Sequence, residues 1–333
     1  MFLRWRIQCA ADTANGLNGG LKYRPFPGLI GLHWEREKNM AQQERTKTIV
    51  PPNSPERWGG VDPKPPPHFD EPKDPVLLEY VHGGRTAIIT FNRPQAGNTV
   101  TTALGVRFAE IMEEIEAKVT VRCAIVTGAG QDFCRGADLR ERKAMDSEQW
   151  LRQRKAFDRT LYTLRNMRRP IFAAVNGRAV GGGSEFAQSC DFRIAAENAS
   201  FCQPEALVGI SAGGGSTWFL PRQLSPGHAM YQLMTGEAVS AQDAYRLGMV
   251  VRLCPPAELM NIALEIAEKI ARSGPTAVAA AKLAVREGLG VPMEHGMTIN
   301  LEAHWRSVLH PDRGEGVKSW NEMREPNFKD PDR

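Results

Sequence analysis

The stretch that decides the fold runs from Pro170 to Leu220 and reads PIFAAVNGRAVGGGSEFAQSCDFRIAAENASFCQPEALVGISAGGGSTWFL. It opens with a short apolar run, Ile171–Val175, which lies between a proline and Gly177 and is typical of a buried strand. Three consecutive glycines follow at residues 181–183. They predict a turn, because three glycines in succession are unfavourable inside a helix or a strand.

Two carboxylates stand beside this unusual backbone. A predicted helix starts with Ser184 and Glu185, and Glu205 follows twenty residues later after a proline. Bare backbone N–H groups next to paired acids can polarise a carbonyl while the acids move protons. Taken alone, Glu185 is explained as a helix N-terminal acid that the helix dipole favours, and Glu205 as a solvent-exposed or arginine-paired carboxylate. The pattern therefore needs support from the rest of the chain.

Composition narrows the class of protein. The chain has 333 residues, of which 42% are hydrophobic and 24% charged, as in an ordinary globular protein of one or two domains. The net charge of +4 is too small to indicate nucleic-acid binding. No apolar run approaches the roughly 18 residues that span a bilayer. The cysteines are scattered without a C-x-x-C pair, which favours reduced thiols over disulfides or zinc: Cys9, Cys123, Cys134, Cys190, Cys202 and Cys254.

The N-terminal part of the chain differs in composition from the remainder. Prolines recur so often between Pro51 and Pro75 that regular structure is disfavoured, and we predict an extended arm or linker over residues 1–75. Residues 1–39 fit either a mitochondrial transit peptide or leader sequence ahead of a natural start at Met40. We expect an α/β core over residues 76–270 and a helical region over residues 271–333.

Beyond residue 75 the predicted elements alternate. Val76 to Phe91 reads as two strands around a glycine pair, and Thr101 to Ala117 has the apolar spacing of an amphipathic helix. A strand at residues 123–126 leads into a predicted loop at residues 132–140, and a long helix begins at Asp146. Strand and helix in succession, with a helical tail, predict an α/β fold with right-handed crossovers.

Several familiar motifs are absent. The run Gly128-Ala129-Gly130 follows a strand, but the third glycine of a dinucleotide fingerprint is replaced by Phe133. Gly177 and Gly182 have phosphate-loop spacing, yet Gly183 stands where the lysine is required. No G-x-S-x-G or H-E-x-x-H motif occurs, and the seven histidines are dispersed. We therefore expect neither a nicotinamide nor a nucleoside triphosphate site, and no metal.

From about Val76 to Asp330 the chain resembles the enoyl-CoA hydratase/isomerase (crotonase) superfamily. The matches occur in the family's order and include the motifs N-R-P…N, F-x-x-G-x-D, A-x-x-x-G-x-x-x-G-G-G-x-E and Q-P-E. These lie at Asn92-Arg93-Pro94 with Asn98, at Phe133 to Asp138, at Ala173 to Glu185 and at Gln203-Pro204-Glu205. The pattern departs from the family where Ala212 replaces a common proline and Trp218 a common glutamine.

The resemblance implies a crotonase-like spiral of ββα units with a C-terminal helical region. It implies that the backbone N–H groups of Ala137 and Gly182 hold the thioester oxygen of an acyl-CoA as an enolate forms. Glu185 would activate the water that attacks Cβ, and Glu205 would deliver the proton to Cα. Gly213 matches a glycine that helps to place the water. The implied reaction hydrates a trans-2-enoyl-CoA to a 3-hydroxyacyl-CoA.

The resemblance also suggests how coenzyme A is held. Arg140 matches a basic position that meets a CoA phosphate, Arg135 and Leu139 would border the adenine, and Phe328 and Lys329 match tail residues that cover CoA from a neighbouring subunit. A solvated arginine at a charged helix start is an equal explanation of Arg140. Relatives suggest a homotrimer or hexamer. No cofactor is expected beyond the CoA of the substrate, no nucleic-acid or membrane partner is expected, and the expected compartment is the cytoplasm or, alternatively, the mitochondrial matrix.

Other activities stay open at this point. A double-bond isomerase is the nearest alternative, but isomerases of the family generally need only the acid at the Glu205 position. A thioester hydrolase, a retro-aldol lyase on an aryl-CoA, or an enzyme of natural-product assembly also fits. From another class, the chain could be a non-catalytic acyl-CoA binder or an RNA-associated relative, and the small net charge argues against the latter.

Overall fold

Two sheets organise the part of the chain that the structure, a computed structural model, describes, namely residues 71–329. The predicted arm and leader lie outside the described residues, apart from residues 71–75. The proposed divisions at residues 75 and 270 stay predictions.

The larger sheet has six strands in the order β1-β2-β3-β5-β7-β10. Its first two strands form the predicted antiparallel hairpin, and the others run parallel. The smaller sheet has the order β4-β6-β8-β9, with β9 antiparallel to β8. The strands are β1 (Val76–Val81), β2 (Thr86–Phe91), β3 (Cys123–Gly128), β4 (Asp132–Cys134), β5 (Ile171–Val175), β6 (Arg178–Val180), β7 (Arg193–Ala196), β8 (Ser200–Cys202), β9 (Val239–Ser240) and β10 (Arg252–Cys254).

The helices lie between and after these strands. They are α1 (Thr102–Ala117), α2 (Leu139–Lys143), α3 (Ser147–Asn166), α4 (Gly182–Ser189), α5 (Ser216–Gln223), α6 (Pro226–Thr235), α7 (Ala241–Arg246), α8 (Leu259–Arg272), α9 (Pro275–Gly288), α10 (Met293–Val308) and α11 (Asp312–Asn321). None of the helices within residues 71–329 is long and apolar enough to cross a membrane. Short 3-10 turns join some of the elements, including one at Glu205–Val208.

One unit repeats along the chain. A strand of the larger sheet passes directly into a strand of the smaller sheet and then into a helix, as in β3-β4, β5-β6-α4 and β7-β8 with their following helices. Corresponding strands of successive units pair in parallel. The result is a spiral of ββα units with helices at its C-terminal end, so the expected α/β fold is confirmed.

Local sequence explains where the helices begin. The Thr101 side chain accepts a hydrogen bond from Leu104 N and caps α1 as an N-cap residue does. Asp146 and Gln149 form a complete capping box at the start of α3. Both starts agree with the sequence-based predictions to within one residue.

The core occupies both faces of the larger sheet. One face packs against a cluster of aromatic rings. The ring centre of Phe186 in α4 lies 5.8 Å from that of Phe91, 5.4 Å from that of Phe108 and 5.2 Å from that of Phe157. The other face packs against α8, where Ala263 and Ala267 are fully buried. Strand β5 is buried along its whole length because both of its faces are covered, which is why it reads as an unbroken apolar run.

Two local predictions were wrong. Residues 132–140, predicted as a loop, contain β4 and the start of α2, because the segment pairs with β6 and is capped by Asp138. The glycine turn at residues 181–183 is a turn only at Gly181, and Gly182 and Gly183 form the first turn of α4. Close packing explains why this helix contains Gly183: a Cβ on Gly183 would lie 2.0 Å from the Cys134 carbonyl oxygen. Tertiary contact thus overrides the low helix propensity of glycine.

Candidate active site

The segment around Ala137 is anchored by buried charges. Arg93, which is 1% exposed, donates through Nη2 to Asp138 Oδ2 at 3.2 Å. Arg140 Nη2 donates to the same oxygen at 3.1 Å. Burial alone would raise the pKa of Asp138, but hydrogen bonds from Arg140 and Thr99, with the charges of Arg140 and Arg93, lower that pKa to about 2. Asp138 is therefore ionised, and its hydrogen bonds fix both its carboxylate and the backbone next to it.

Ala137 and Gly182 lie in backbone segments that are in direct contact. A Cβ placed on Gly136, whose φ is +79°, would lie 3.4 Å from Gly182 N and 2.6 Å from the Val180 carbonyl oxygen. Val100 N donates to Gly136 O, and Asp138 N donates to Val100 O, which leaves the intervening N–H of Ala137 unused. Within residues 71–329, neither the Ala137 N–H nor the Gly182 N–H donates a hydrogen bond. Gly182 occupies the first turn of α4, where N–H groups have no partner inside the helix.

The close packing of Gly183, the residue that follows Gly182, can be tested by substitution. Gly183→Ala is expected to lower the free energy of unfolding by about 1–3 kcal/mol or more, because the new methyl group meets backbone atoms that cannot rotate away. Thermal unfolding measures the change. Gly227→Ala is the matched control, since this glycine is the second residue of α6 and has nothing within 4 Å of the added Cβ. Equal melting temperatures for Gly183→Ala and the control would contradict the close approach.

The carboxylate of Glu185 is held by backbone N–H groups. Its side chain is on α4 and is 2% exposed. Oε1 accepts hydrogen bonds from Gly214 N at 2.5 Å and from Ser216 N at 3.3 Å. Burial raises the pKa of Glu185 above its usual range, and the two N–H donors together with the charges of Arg154 and Arg165 reduce this rise. The carboxylate therefore lies in a buried site that also stabilises its charged form.

Glu205 has a different environment. It begins the 3-10 turn after β8, and a Cβ on Gly181 would lie 3.0 Å from its Oε1. Burial raises its pKa to about 7, and the nearby charge of Glu185 acts in the same direction. With its amide oriented to satisfy its neighbours, Gln203 donates to Glu205 Oε1 at 3.2 Å and to Oε2 at 3.0 Å. The two acids therefore lie within electrostatic reach of one another, with different partners.

The predicted water-positioning residue lies next to this pair. Gly213 presents its carbonyl oxygen to Arg154 Nη2 at 2.9 Å, while the N–H of the same peptide group, on Gly214, reaches Glu185. The sequence did not identify Gly214, Ser216, Gln203 or Arg154 as parts of the site. The repeated glycines at residues 213–215 were the available signal for the first of them.

The residues predicted to hold coenzyme A fall into two groups. Arg135, Leu139 and Arg140 lie around Ala137 at the start of α2, where Leu139 is 63% exposed and Arg140 pairs with Asp138. Phe328 and Lys329 lie near α11, where Lys329 N donates to Asp312 Oδ1 at 3.0 Å and Phe328 O accepts from Arg122. The first group therefore lies within three residues of Ala137 in the chain, whereas the second is tied to the C-terminal helices.

Other chemistries find little support among the described residues. Across residues 71–329 no cluster of His, Cys, Asp and Glu side chains could hold a metal ion. The five cysteines in this part of the chain are buried free thiols. Burial raises the pKa of Cys134 and of Cys202 to about 12, which disfavours the reactive thiolate.

An acid pair beside two unused N–H groups, on a spiral of ββα units, agrees with the comparisons with known proteins. The family model for enoyl-CoA hydratase/isomerase matches residues 83–331, and the chain belongs to that family. It is a hydratase-like lyase.

Individual relatives are covered over nearly their whole length. The chain is 38% identical over 254 residues to the putative enoyl-CoA hydratase/isomerase YngF of Bacillus subtilis, with 76% of this chain and 98% of the relative covered. It is 36% identical over 250 residues to the short-chain-enoyl-CoA hydratase of Clostridium acetobutylicum, with 75% and 95% covered. The crystal structure of enoyl-CoA hydratase from Bacillus anthracis superposes with a TM-score of 0.75 at 36% identity, covering 77% of this chain and 100% of that one.

Proposed function

We propose that the protein adds water to a trans-2-enoyl-CoA thioester and forms a 3-hydroxyacyl-CoA. The observation that carries this proposal is a buried carboxylate, Glu185, and a half-buried one, Glu205, with different partners, set beside the unused N–H groups of Ala137 and Gly182. The reaction involves no change of oxidation state overall, so it needs no cofactor besides the CoA that carries the acyl group.

The two N–H groups form the oxyanion hole in this proposal. The thioester carbonyl oxygen lies between Ala137 N–H and Gly182 N–H, and both donors strengthen their hydrogen bonds as the oxygen becomes an enolate. Removal of one such donor typically costs about 10²–10³ in rate. Because the donors belong to the backbone, the substitution Gly182→Pro is the most direct way to remove one of them.

The acids take separate roles. Glu185 is the base: it takes a proton from the water as the water oxygen bonds to Cβ, and its N–H donors favour the ionised form that this step needs. Glu205 is the acid: with its pKa raised to about 7 it keeps a proton near neutral pH and delivers it to Cα. The peptide group of Gly213 and Gly214 fixes the Glu185 carboxylate and so places the water. Proton exchange with solvent after product release restores both acids.

The test is a direct assay. The wild-type chain is incubated with crotonyl-CoA and with longer enoyl-CoAs, and the loss of enoyl absorbance is followed. We expect turnover of at least one of these substrates. A protein that binds CoA esters and is inert on every enoyl-CoA would contradict the proposal.

The pH dependence of the assay depends on Arg142. Because the charge of Glu205 acts on Arg142, the guanidinium stabilises the ionised form of this acid. Arg142→Gln is expected to raise the pKa of Glu205, so the acid stays protonated to higher pH. The loss of kcat on the alkaline side should then begin roughly half a pH unit to one unit higher than in the wild type. Lys143→Gln, at an exposed neighbouring position, should leave the profile unchanged. A shift to lower pH in Arg142→Gln would contradict the assignment of the acid.

Binding of coenzyme A is proposed at the residues around Ala137. Arg140 meets a phosphate, and Arg135 and Leu139 border the adenine. The support for this is that the three residues flank Ala137 in the chain and that the Leu139 side chain is exposed. Arg140→Gln should raise KM for crotonyl-CoA more than it changes kcat. Equal KM values in the variant and the wild type would instead favour a purely structural role for the pairing with Asp138.

We infer that copies of the chain associate as a homotrimer or hexamer. An apolar stripe on α10 supports this, because its members recur every four residues and are each more than half exposed: Met293, Met297, Leu301 and Trp305. In such an assembly Phe328 and Lys329 would lie near the CoA of a neighbouring copy. Light scattering on the full chain tests this, and a monomer at micromolar concentration would contradict it. The compartment, cytoplasm or mitochondrial matrix, remains a prediction.

A further inference from the structure

One peptide group lies between an arginine and the proposed catalytic base. The carbonyl oxygen of Gly213 accepts a hydrogen bond from Arg154 Nη2 at 2.9 Å. The N–H of the same peptide group, on Gly214, donates to Glu185 Oε1 at 2.5 Å. The guanidinium of Arg154 and the carboxylate of Glu185 are thus joined through the two ends of a single amide.

The orientation of this amide matters. Its oxygen, the negative end of the peptide dipole, faces the cation, and its N–H, the positive end, faces the anion. Hydrogen bonds in such a chain polarise one another, so the cation strengthens the N–H bond to the carboxylate. Glu185 is 2% exposed, and in so buried a site a carboxylate favours its neutral form unless donors and cations oppose that effect.

A second arginine of α3 contacts the loop that contains this peptide group, residues 213–215, which we call the glycine loop. Arg165 Nη2 donates to the carbonyl oxygen of Gly214 at 2.9 Å, and its guanidinium carbon lies 5.7 Å from the centre of the Phe219 ring. Two arginines from one helix therefore hold two consecutive carbonyls of the glycine loop. Rotating the Gly213–Gly214 peptide group so that its N–H leaves Glu185 would break the Arg154 contact, and Arg165 restrains the next peptide group.

We propose that Arg154 is a positioning residue that keeps Glu185 in its ionised form by acting through the Gly213–Gly214 peptide group. Arg165 secures the next carbonyl and adds a second positive charge. Neither arginine needs to touch the substrate. This inference rests on the proposed function only for its kinetic consequence, since the ionisation of Glu185 can be measured without a substrate.

Other charged groups near Glu185 do not supply the same effect. Asp158 of α3 pairs with Arg154, its Oδ2 lying 3.1 Å from Nε, and weakens the positive field. Glu205 carries the same charge sign as Glu185. On the strands beneath α4, Asp132 pairs with Arg178, and Cys134 is neutral because burial raises its pKa to about 12. Strand β5 has no titratable side chain.

The experiment compares Arg154→Gln with two further variants of the full chain. Glutamine removes the charge while it keeps polar donors, and Arg154→Lys restores the charge. Arg152→Gln is the matched control, because this arginine lies on the same helix, has a 61% exposed side chain and pairs with Glu148. The ionisation of Glu185 is followed by infrared titration of its carboxyl band, which is assigned by its loss in Glu185→Gln. The pH profile of kcat for crotonyl-CoA is recorded in parallel.

We expect the Glu185 titration to move upward by roughly one pH unit in Arg154→Gln and to stay near the wild-type value in Arg154→Lys and Arg152→Gln. The loss of kcat in Arg154→Gln should be confined to the acid side of the pH profile, where it should reach at most about tenfold, and on the alkaline side kcat should lie within about twofold of the wild type. KM should not change. The Arg154→Lys variant keeps the test valid even if Arg154→Gln disturbs the glycine loop.

Two results separate the possibilities. An unchanged Glu185 titration in Arg154→Gln, or a loss of kcat that is equal at every pH, would overturn the inference and leave Arg154 a structural residue. If the wild type is inert on enoyl-CoAs while the titration still moves, the proposed function has failed and the role of Arg154 stands.

Discussion

Replacing Glu205 by glutamine is expected to lower kcat for crotonyl-CoA hydration by about 10²–10⁴ with little change in KM. The amide has nearly the shape of the carboxyl group and can still contact Gln203, so the site should remain intact. It cannot give up a proton at neutral pH, however, and the proton for Cα then has no donor. The loss should persist across the whole pH range, because no ionisation of the variant restores an acid.

Steady-state kinetics with crotonyl-CoA measure this effect, and thermal unfolding confirms that the variant is folded. Glu197→Gln provides the matched control, since it makes the same chemical change at an exposed position in the turn between β7 and β8. Activity of Glu205→Gln within tenfold of the wild type would remove this residue from the mechanism.

Glu185→Gln has an expected effect of the same size, about 10²–10⁴ in kcat, for a different reason. The amide oxygen can still accept hydrogen bonds from Gly214 N and Ser216 N, so the loop should keep its place. The variant lacks a base, and the water that attacks Cβ is no longer activated. Hydration should therefore fail while Glu205 keeps its proton.

This variant also distinguishes the two leading activities. A double-bond isomerase moves a proton at Cα and needs only the acid at the Glu205 position, so Glu185→Gln would remain active in such an enzyme. Kinetics with crotonyl-CoA and with a 3-enoyl-CoA should be compared for the two glutamine variants. Full activity of Glu185→Gln with an inactive Glu205→Gln would identify isomerisation as the reaction.

The fold was largely predictable from sequence because its signals are local. The hairpin over Val76–Val81 and Thr86–Phe91, the helix capped by Thr101 and the buried strand Ile171–Val175 each follow from periodicity, glycine pairs or caps within a short window. The motif matches then ordered these elements into the spiral. Local signals failed where distant contacts decide, as at Gly183, where the Cys134 backbone leaves no room for a side chain and the glycine is nevertheless part of a helix.

The candidate site was only partly predictable. The motifs pointed to Glu185, Glu205, Ala137 and Gly182, and the structure brings the two acids within electrostatic reach of one another and the two N–H segments into contact. Nothing in the local sequence connected Arg154 with Glu185. Its contact with the loop spans 59 residues of sequence and depends on how α3 crosses the glycine loop. Such a pairing has no motif, because it is a product of tertiary packing.

The position of the new oxygen atom tests the proposed hydration most directly. The wild-type chain is incubated with crotonyl-CoA in H₂¹⁸O, and the products are identified by mass spectrometry. We expect a 3-hydroxyacyl-CoA with one ¹⁸O at C3 and an intact thioester. Label in a free carboxylate would show thioester hydrolysis, and an unlabelled product with a displaced double bond would show isomerisation; either result, or the absence of any product, would contradict the two-carboxylate addition of water.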